Sequence, residues 1–316
     1  MILILNISTL LEILNISPYN GYMKEYLSYY SAAIFWNIPY FEAVLGSERT
    51  ETAPIDFTVT ERSARSNKKG RMIHLCELAL PAGAVVSRNG KMVASPELMF
   101  LELASKLNIH RLILLGLQLC SHPPGNTSVA ITTKQKLKTF LAKTSGHRGH
   151  LKALRAVKYI EDGSASIMES MSYMILALPY ALGGYGLDGA VFNYEIKLKD
   201  EAGKRLGQKR CFTDMYYKPA KLAVEYESFA FHKSPSEQGK DVIRSAVLNR
   251  QGVEVMHLST VQLYDKEACR DFALNLAYRL GKRIQIRTKK FDEMHALLRA
   301  LLPAEKPVAE PDGGKL

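Results

Sequence analysis

The chain has 316 residues, more than one hydrophobic core usually organises, so two domains are the default expectation. A composition 47% hydrophobic and 23% charged is ordinary for a soluble globular protein, and no segment has the length and apolarity of a transmembrane helix. Forty-two Lys and Arg against 31 Asp and Glu give a net charge of +11, which favours polyanionic partners, either nucleic acid or an anionic membrane surface.

In chain order, the apolar start (Met1 to Leu14) has neither a basic leader nor a small-residue cleavage site. It reads as a buried helix, or as a non-native extension if translation begins at Met23. Residues 24–36 read as a helix stopped by Pro39, with Trp36 in the core of the first domain. Residues 55–60, 72–80, 85–88 and 91–94 read as strands, the last two joined by Asn89-Gly90, a strong hairpin signal. Ser95-Pro96-Glu97 opens a helix running on to Leu107, since Ser suits the cap and Pro the first turn. A helix over 110–119 and a loop at His122 follow, then two basic helices, 133–144 and 149–160.

Charge is unevenly spread. Between Leu103 and Ile160 there is no Asp or Glu, while Lys134, Lys136, Lys138, Lys143, Arg148, Lys152 and Arg155 are all basic. Such a segment suits phosphate contacts, and DNA is the expected partner. A second basic cluster runs from Arg279 to Lys290. Cys76, Cys120, Cys211 and Cys269 are scattered without metal-ligand or disulfide spacing, which fits a reducing cytoplasm.

Glu161-Asp162-Gly163-Ser164 reads as a domain boundary. It divides a basic N-terminal domain (1–160), mainly helical with a small β-sheet, from an α/β domain (161–302). A tail from 303 to 316, rich in Pro and Gly, reads as disordered. The second domain orders its elements as helix (166–178), strands (190–198, 210–217, 221–228), helix (239–250), strand (253–258) and helix (265–280). Gly252 ends a helix, so the strand after it should return in parallel, giving a mixed sheet with helices on both faces.

Residues 210–232 carry the chemistry. A turn at Lys218-Pro219-Ala220-Lys221 pairs 218 with 221 and, counting back, Asp214 with Glu225. Opposed residues of an antiparallel pair have Cβ atoms about 4.5–5.5 Å apart, and like charges there destabilise. Alternation puts Glu227 on the face of Glu225. Three converging carboxylates ask for a hard divalent cation; the plainer reading is a solvated hairpin face offset by Lys218 and Lys221.

Order and spacing here resemble the PD-(D/E)XK nuclease superfamily, most closely an uncharacterised family related to the very-short-patch repair endonucleases. The resemblance rests on Ser164-Ala-Ser-Ile-Met-Glu169, on Asp214, and on Val224-Glu225-Tyr226-Glu227 with His232 after it. Asp241-x-x-Arg244 and the strand Gly252-Val-Glu-Val-Met-His-Leu258 complete it. It implies a restriction-endonuclease-like fold and hydrolysis of DNA phosphodiesters with Mg²⁺ or Mn²⁺, in repair or defence. Asp214, Glu225 and the Tyr226 carbonyl would hold the metal, and Glu169 would reach it through water. Arg244 would contact nucleic acid. Glu227 stands where the superfamily usually has Lys and could bind a second metal or act as base; His232 is then the candidate to orient water or protonate the leaving oxygen.

Plainer readings stand beside these. Ser166-x-x-Glu169 is also a capping box, His232 also suits a loop cap, and Asp241 with Arg244 also suits a surface pair. The first half is similar to the N-terminal region of abortive-infection antitoxin-like proteins, where a winged helix would contact duplex DNA. The rival function is an inactive nuclease-fold DNA-binding regulator or antitoxin, with a homodimer left open. A membrane-surface protein has only the charge and the apolar start behind it.

Overall fold

A computed structural model describes residues 25–46, 53–66, 68–199, 207–227 and 235–304, the side chains of 235–241 excepted. The apolar start, His232, the Asp241 side chain and the tail beyond 304 lie outside the described residues. The fold is mixed α/β with two mixed sheets, and the chain divides into two compact units, Met1–Ile167 and Met168–Leu316. Residues 161–164 belong to the first unit for a visible reason. Glu161 pairs with Lys134 Nζ at 2.5 Å, Asp162 accepts from the Lys134 N–H, and Gly163 donates to the Cys120 carbonyl.

The first unit has a five-stranded sheet in the order β3-β2-β1-β5-β4. Its strands are β1 (Glu25–Leu27), β2 (Ile55–Val59), β3 (Arg71–Leu75), β4 (Val85–Arg88) and β5 (Lys91–Ala94). Around it lie α1 (Tyr29–Phe35), α2 (Phe41–Leu45), α3 (Pro96–Ala104), α4 (Ile109–Leu119), α5 (Lys134–Leu141) and α6 (His150–Val157). The helix expected over 24–36 is shorter because β1 takes its start. That segment lies between β2, antiparallel, and β5, parallel, with Tyr26 and Leu27 buried, so sheet pairing on both edges overrides helix propensity. The β4–β5 hairpin turns at Asn89-Gly90, both at positive φ, as a tight primed turn requires. Ser95 and Asn108 cap α3 and α4, accepting from the Leu98 and Arg111 N–H groups.

At the centre of this unit Glu102 of α3 is buried among neutral donors. The Tyr26 hydroxyl donates to it at 3.2 Å, the Tyr29 N–H at 3.0 Å and the Thr58 hydroxyl at 3.5 Å. Burial pushes its carboxyl up to about 8, with the nearby Asp56 charge acting in the same direction.

The second unit has a four-stranded sheet, β6-β7-β8-β9, from β6 (Ala190–Lys197), β7 (Arg210–Tyr217), β8 (Leu222–Glu227) and β9 (Glu254–Ser259). Its helices are α7 (Ile167–Ala177), α8 (Pro235–Arg250), α9 (Thr260–Tyr264), α10 (Lys266–Arg279) and α11 (Phe291–Arg299). Val247 and Leu248 of α8 pack with Tyr216 and Ala223 on one face of the sheet. On the other face Tyr173 of α7 meets Phe192, ring centroids 5.0 Å apart. β9 runs parallel to β8, as expected of a strand that returns through the crossover helix α8. The helix expected over 265–280 is α10, capped by Asp265; the short α9 precedes it, with Ser259 and Gln262 forming its capping box.

Residues 291–299 form a helix that the sequence reading does not include, and this α11 explains Gly183. The Gly183 carbonyl lies 2.7 Å from His295 Nδ1, the glycine has φ +77°, and an added Cβ would sit 2.4 Å from the His295 backbone nitrogen. Only glycine permits that approach. Among the described residues no helix is long and apolar enough to cross a membrane.

The Glu102 site makes a testable prediction. Its carboxyl ionises near 8 in the folded chain, against an ordinary value of 4.5. Between those values the folded state holds a proton that the unfolded state has lost. The contribution of this group to stability therefore falls as pH rises through that window, by at most about tenfold in the folding equilibrium per pH unit. Glu102→Gln, neutral and of the same shape, should remove this slope. Denaturant unfolding of both proteins from pH 5 to 8.5 measures it; parallel pH profiles would refute the assignment.

Candidate active site in the second unit

The sequence of the hairpin places its carboxylates. β7 and β8 pair as Tyr217↔Leu222, Tyr216↔Ala223 and Met215↔Val224, the register that counts onward to 214 opposite 225. The ladder itself stops at Met215↔Val224. Beyond it the Asp214 carboxylate takes over, its Oδ2 accepting from the Tyr226 N–H at 2.8 Å. The β6–β7 ladder also passes over this point. It runs from Ala190↔Tyr217 to Lys197↔Arg210 without an Asn193↔Asp214 pair, and Asn193 sits at φ 47°.

β8 continues against β9 alone through Glu225↔His257, Tyr226↔Leu258 and Glu227↔Ser259. Strand alternation turns Asp214, Glu225, Glu227, Val255 and His257 to the face that α8 covers with Arg244, Ser245 and Leu248. These residues and Tyr226 line a cavity of about 200 Å³.

Within it, Glu225 is largely shielded and faces the Arg244 guanidinium, whose Nη2 lies 3.2 Å from Oε1 and 3.4 Å from Oε2. The same nitrogen donates to the Phe212 carbonyl of β7, so one side chain ties α8 to two strands. Glu227 Oε1 lies 2.8 Å from His257 Nδ1, and His257 Nε2 lies 3.4 Å from Ser245 Oγ. The Tyr226 ring leaves the site: its hydroxyl is 2.8 Å from Thr260 Oγ1.

Of the residues expected from the sequence, Asp214, Glu225, Tyr226, Glu227 and Arg244 thus share one cavity. Glu169 is buried in the first turn of α7 and is not among the cavity's lining residues. His232 lies outside the described residues. Among the described residues, no three His, Cys, Asp or Glu side chains form a group able to hold a metal. Ser245 and His257 are site residues that the sequence reading does not single out. His257 lies in the strand Gly252 to Leu258, but only the β8–β9 register brings it beside Glu225.

In the first unit the basic residues divide into two sets. Lys136, Lys138, Lys143, Arg148 and Arg155 are exposed. Lys134 is spent on Glu161, and Lys152 donates to the Leu107 carbonyl at 2.8 Å.

Comparison of the chain with protein-family models, curated proteins and solved structures finds no match.

Arg244 should be the keystone of the cavity. Arg244→Ala removes the guanidinium that faces the shielded Glu225 and bonds the Phe212 carbonyl, and should cost about 1–3 kcal/mol. Adding Glu225→Gln should recover part of that loss. Urea unfolding of the two single variants and the double variant measures the coupling. Additivity within about 0.5 kcal/mol would show that the pair carries none.

Proposed function

We propose that the second unit is a metal-dependent endonuclease, with a restriction-endonuclease-like sheet, that hydrolyses DNA phosphodiesters. The observation that carries this reading is the gathering of Asp214, Glu225 and Glu227 around one polar cavity where β7 parts from β8. Carboxylate oxygens are the hard donors that Mg²⁺ accepts, and one or two suffice when substrate phosphate and water complete its shell. Asp214 and Glu225 would hold the ion, which when bound supplies Lewis-acid polarisation of the phosphate and activation of water.

The chain's own groups do the rest. The Tyr226 N–H fixes Asp214, and Arg244 fixes Glu225. Arg244 is also a planar donor suited to a phosphate oxygen once its hold on Glu225 relaxes. The exposed Lys136, Lys138, Lys143, Arg148 and Arg155 of the first unit supply sequence-independent contacts to the DNA backbone.

A second reading, a DNA-binding regulator or antitoxin on an inactive nuclease fold, draws support from the same cavity. Glu227 replaces the usual lysine, and Arg244 already neutralises Glu225. The two readings separate on turnover.

Purified protein with Mg²⁺ or Mn²⁺ should nick or linearise plasmid DNA. Asp214→Asn and Glu225→Gln should each lose at least about a hundredfold in rate, because each removes several kcal/mol of metal-derived stabilisation. Absence of metal-dependent cleavage on duplex, mismatched and single-stranded DNA would leave the regulator. On either reading, binding should weaken steeply with salt. Lys136→Ala with Lys138→Ala should lower the log–log salt slope by about two, one for each phosphate no longer neutralised. An unchanged slope would take these lysines out of the interface.

A further inference from the structure

We propose that His257, oriented by Glu227, is the group that accepts the proton of the attacking water in this cavity. The inference rests on the endonuclease reading and assigns the role left open where a lysine is usual.

The geometry is that of an oriented imidazole. His257 Nδ1 lies 2.8 Å from Glu227 Oε1, and a carboxylate at that distance holds the ring proton on Nδ1. Nε2 then carries the lone pair. It points toward α8, 3.4 Å from Ser245 Oγ, in the cavity that Asp214 and Glu225 also line. His257 stands in register with Glu225 on the neighbouring parallel strand, on the same face of the sheet, so its backbone is about 4.8 Å from that of Glu225. Nε2 thus lines the same cavity as the two carboxylates that would hold the phosphate.

The arrangement also accounts for the departure at position 227. A carboxylate cannot stabilise the negative charge that develops on the phosphate. As the orienter of an imidazole it acts through His257, which makes Glu227 a positioning residue.

The step balances without a further reactant. One water O–H bond breaks, its proton passes to Nε2, and the water oxygen forms the new bond to phosphorus. The bond from phosphorus to the leaving oxygen breaks, and that oxygen takes a proton from solvent. The imidazolium, paired with Glu227, returns its proton to solvent.

Plasmid cleavage with Mg²⁺ tests the proposal on the full chain, with variants checked for wild-type melting temperature and wild-type binding of metal-free DNA. His257→Ala should cleave about 10²- to 10⁴-fold more slowly. His257→Gln, which fills the space without a basic nitrogen, should fall alike. Added imidazole should restore His257→Ala in a dose-dependent way and leave Asp214→Asn inactive. Glu227→Gln should lower kcat with KM unchanged.

Wild-type rates in His257→Ala, with Asp214→Asn inactive, would overturn the proposal and leave the nuclease intact. A wild-type chain that does not cleave would remove both. Reactions quenched in mid-course should hold no covalent DNA–protein adduct. An adduct that Ser245→Ala abolishes would make the serine the nucleophile and overturn the role of water.

Discussion

The site depends on where one ladder ends and the other continues. β8 is bonded to β7 only as far as Val224 but to β9 as far as Glu227. Among the described residues, the three at its carboxyl end therefore have a ladder partner on one side only. The Tyr226 N–H lies on the other side and would be costly to leave unpaired, so the Asp214 carboxylate accepts it in place of main chain. Asp214 thereby becomes part of the backbone accounting as well as part of the cavity. The lapse at Asn193, in left-handed backbone beside the same residue, shows β6 yielding at the same point. Here the divergence can be traced to single hydrogen bonds.

Once the strands part, electrostatics decides what occupies the space. Three carboxylates line the cavity, and Arg244 is the one Lys or Arg among its described lining residues. Arg244 does structural service as well, because its bond to the Phe212 carbonyl holds α8 against β7 while it neutralises Glu225 on β8. A guanidinium suits this double duty, since its donors fan out in a fixed plane. The described lining of the cavity thus combines three acidic side chains with one planar guanidinium donor.

Much of this is legible in the sequence because hairpin registers are local. The Lys218-to-Lys221 turn sets which residues oppose, alternation sets their face, and neither depends on distant packing. Gly252 likewise announces a parallel β9. The residues that escape a sequence reading owe their places to long-range contacts. Glu25 to Leu27 resemble the start of a helix until β2 and β5 pair with them from either side. α11 is amphipathic but short, and its docking on Gly183 joins residues 112 apart. His257 and Ser245 meet only when α8 packs over β9, and no spacing rule connects a helix face with a neighbouring strand. The count of basic residues misleads in a different way. It takes Lys134 and Lys152 as available charges, although Glu161 and the Leu107 carbonyl hold them.

The two units show how one residue type can be put to opposite uses. Glu102 is surrounded by hydroxyls, an N–H and the Asp56 charge, with no cation among its described hydrogen-bond partners, and burial raises its carboxyl toward neutrality. Such a group serves packing: it satisfies Tyr26, Tyr29 and Thr58 at the centre of a small core, and it has no reason to meet solvent. Glu225 is also shielded but faces a guanidinium and an open cavity. Its carboxylate is held by a guanidinium that also bonds the Phe212 carbonyl of β7. The physical difference is the partner and the opening rather than the depth of burial. By that criterion Glu102, for all its displacement, belongs to the architecture of the first unit, whereas Glu225 lines a cavity of the second.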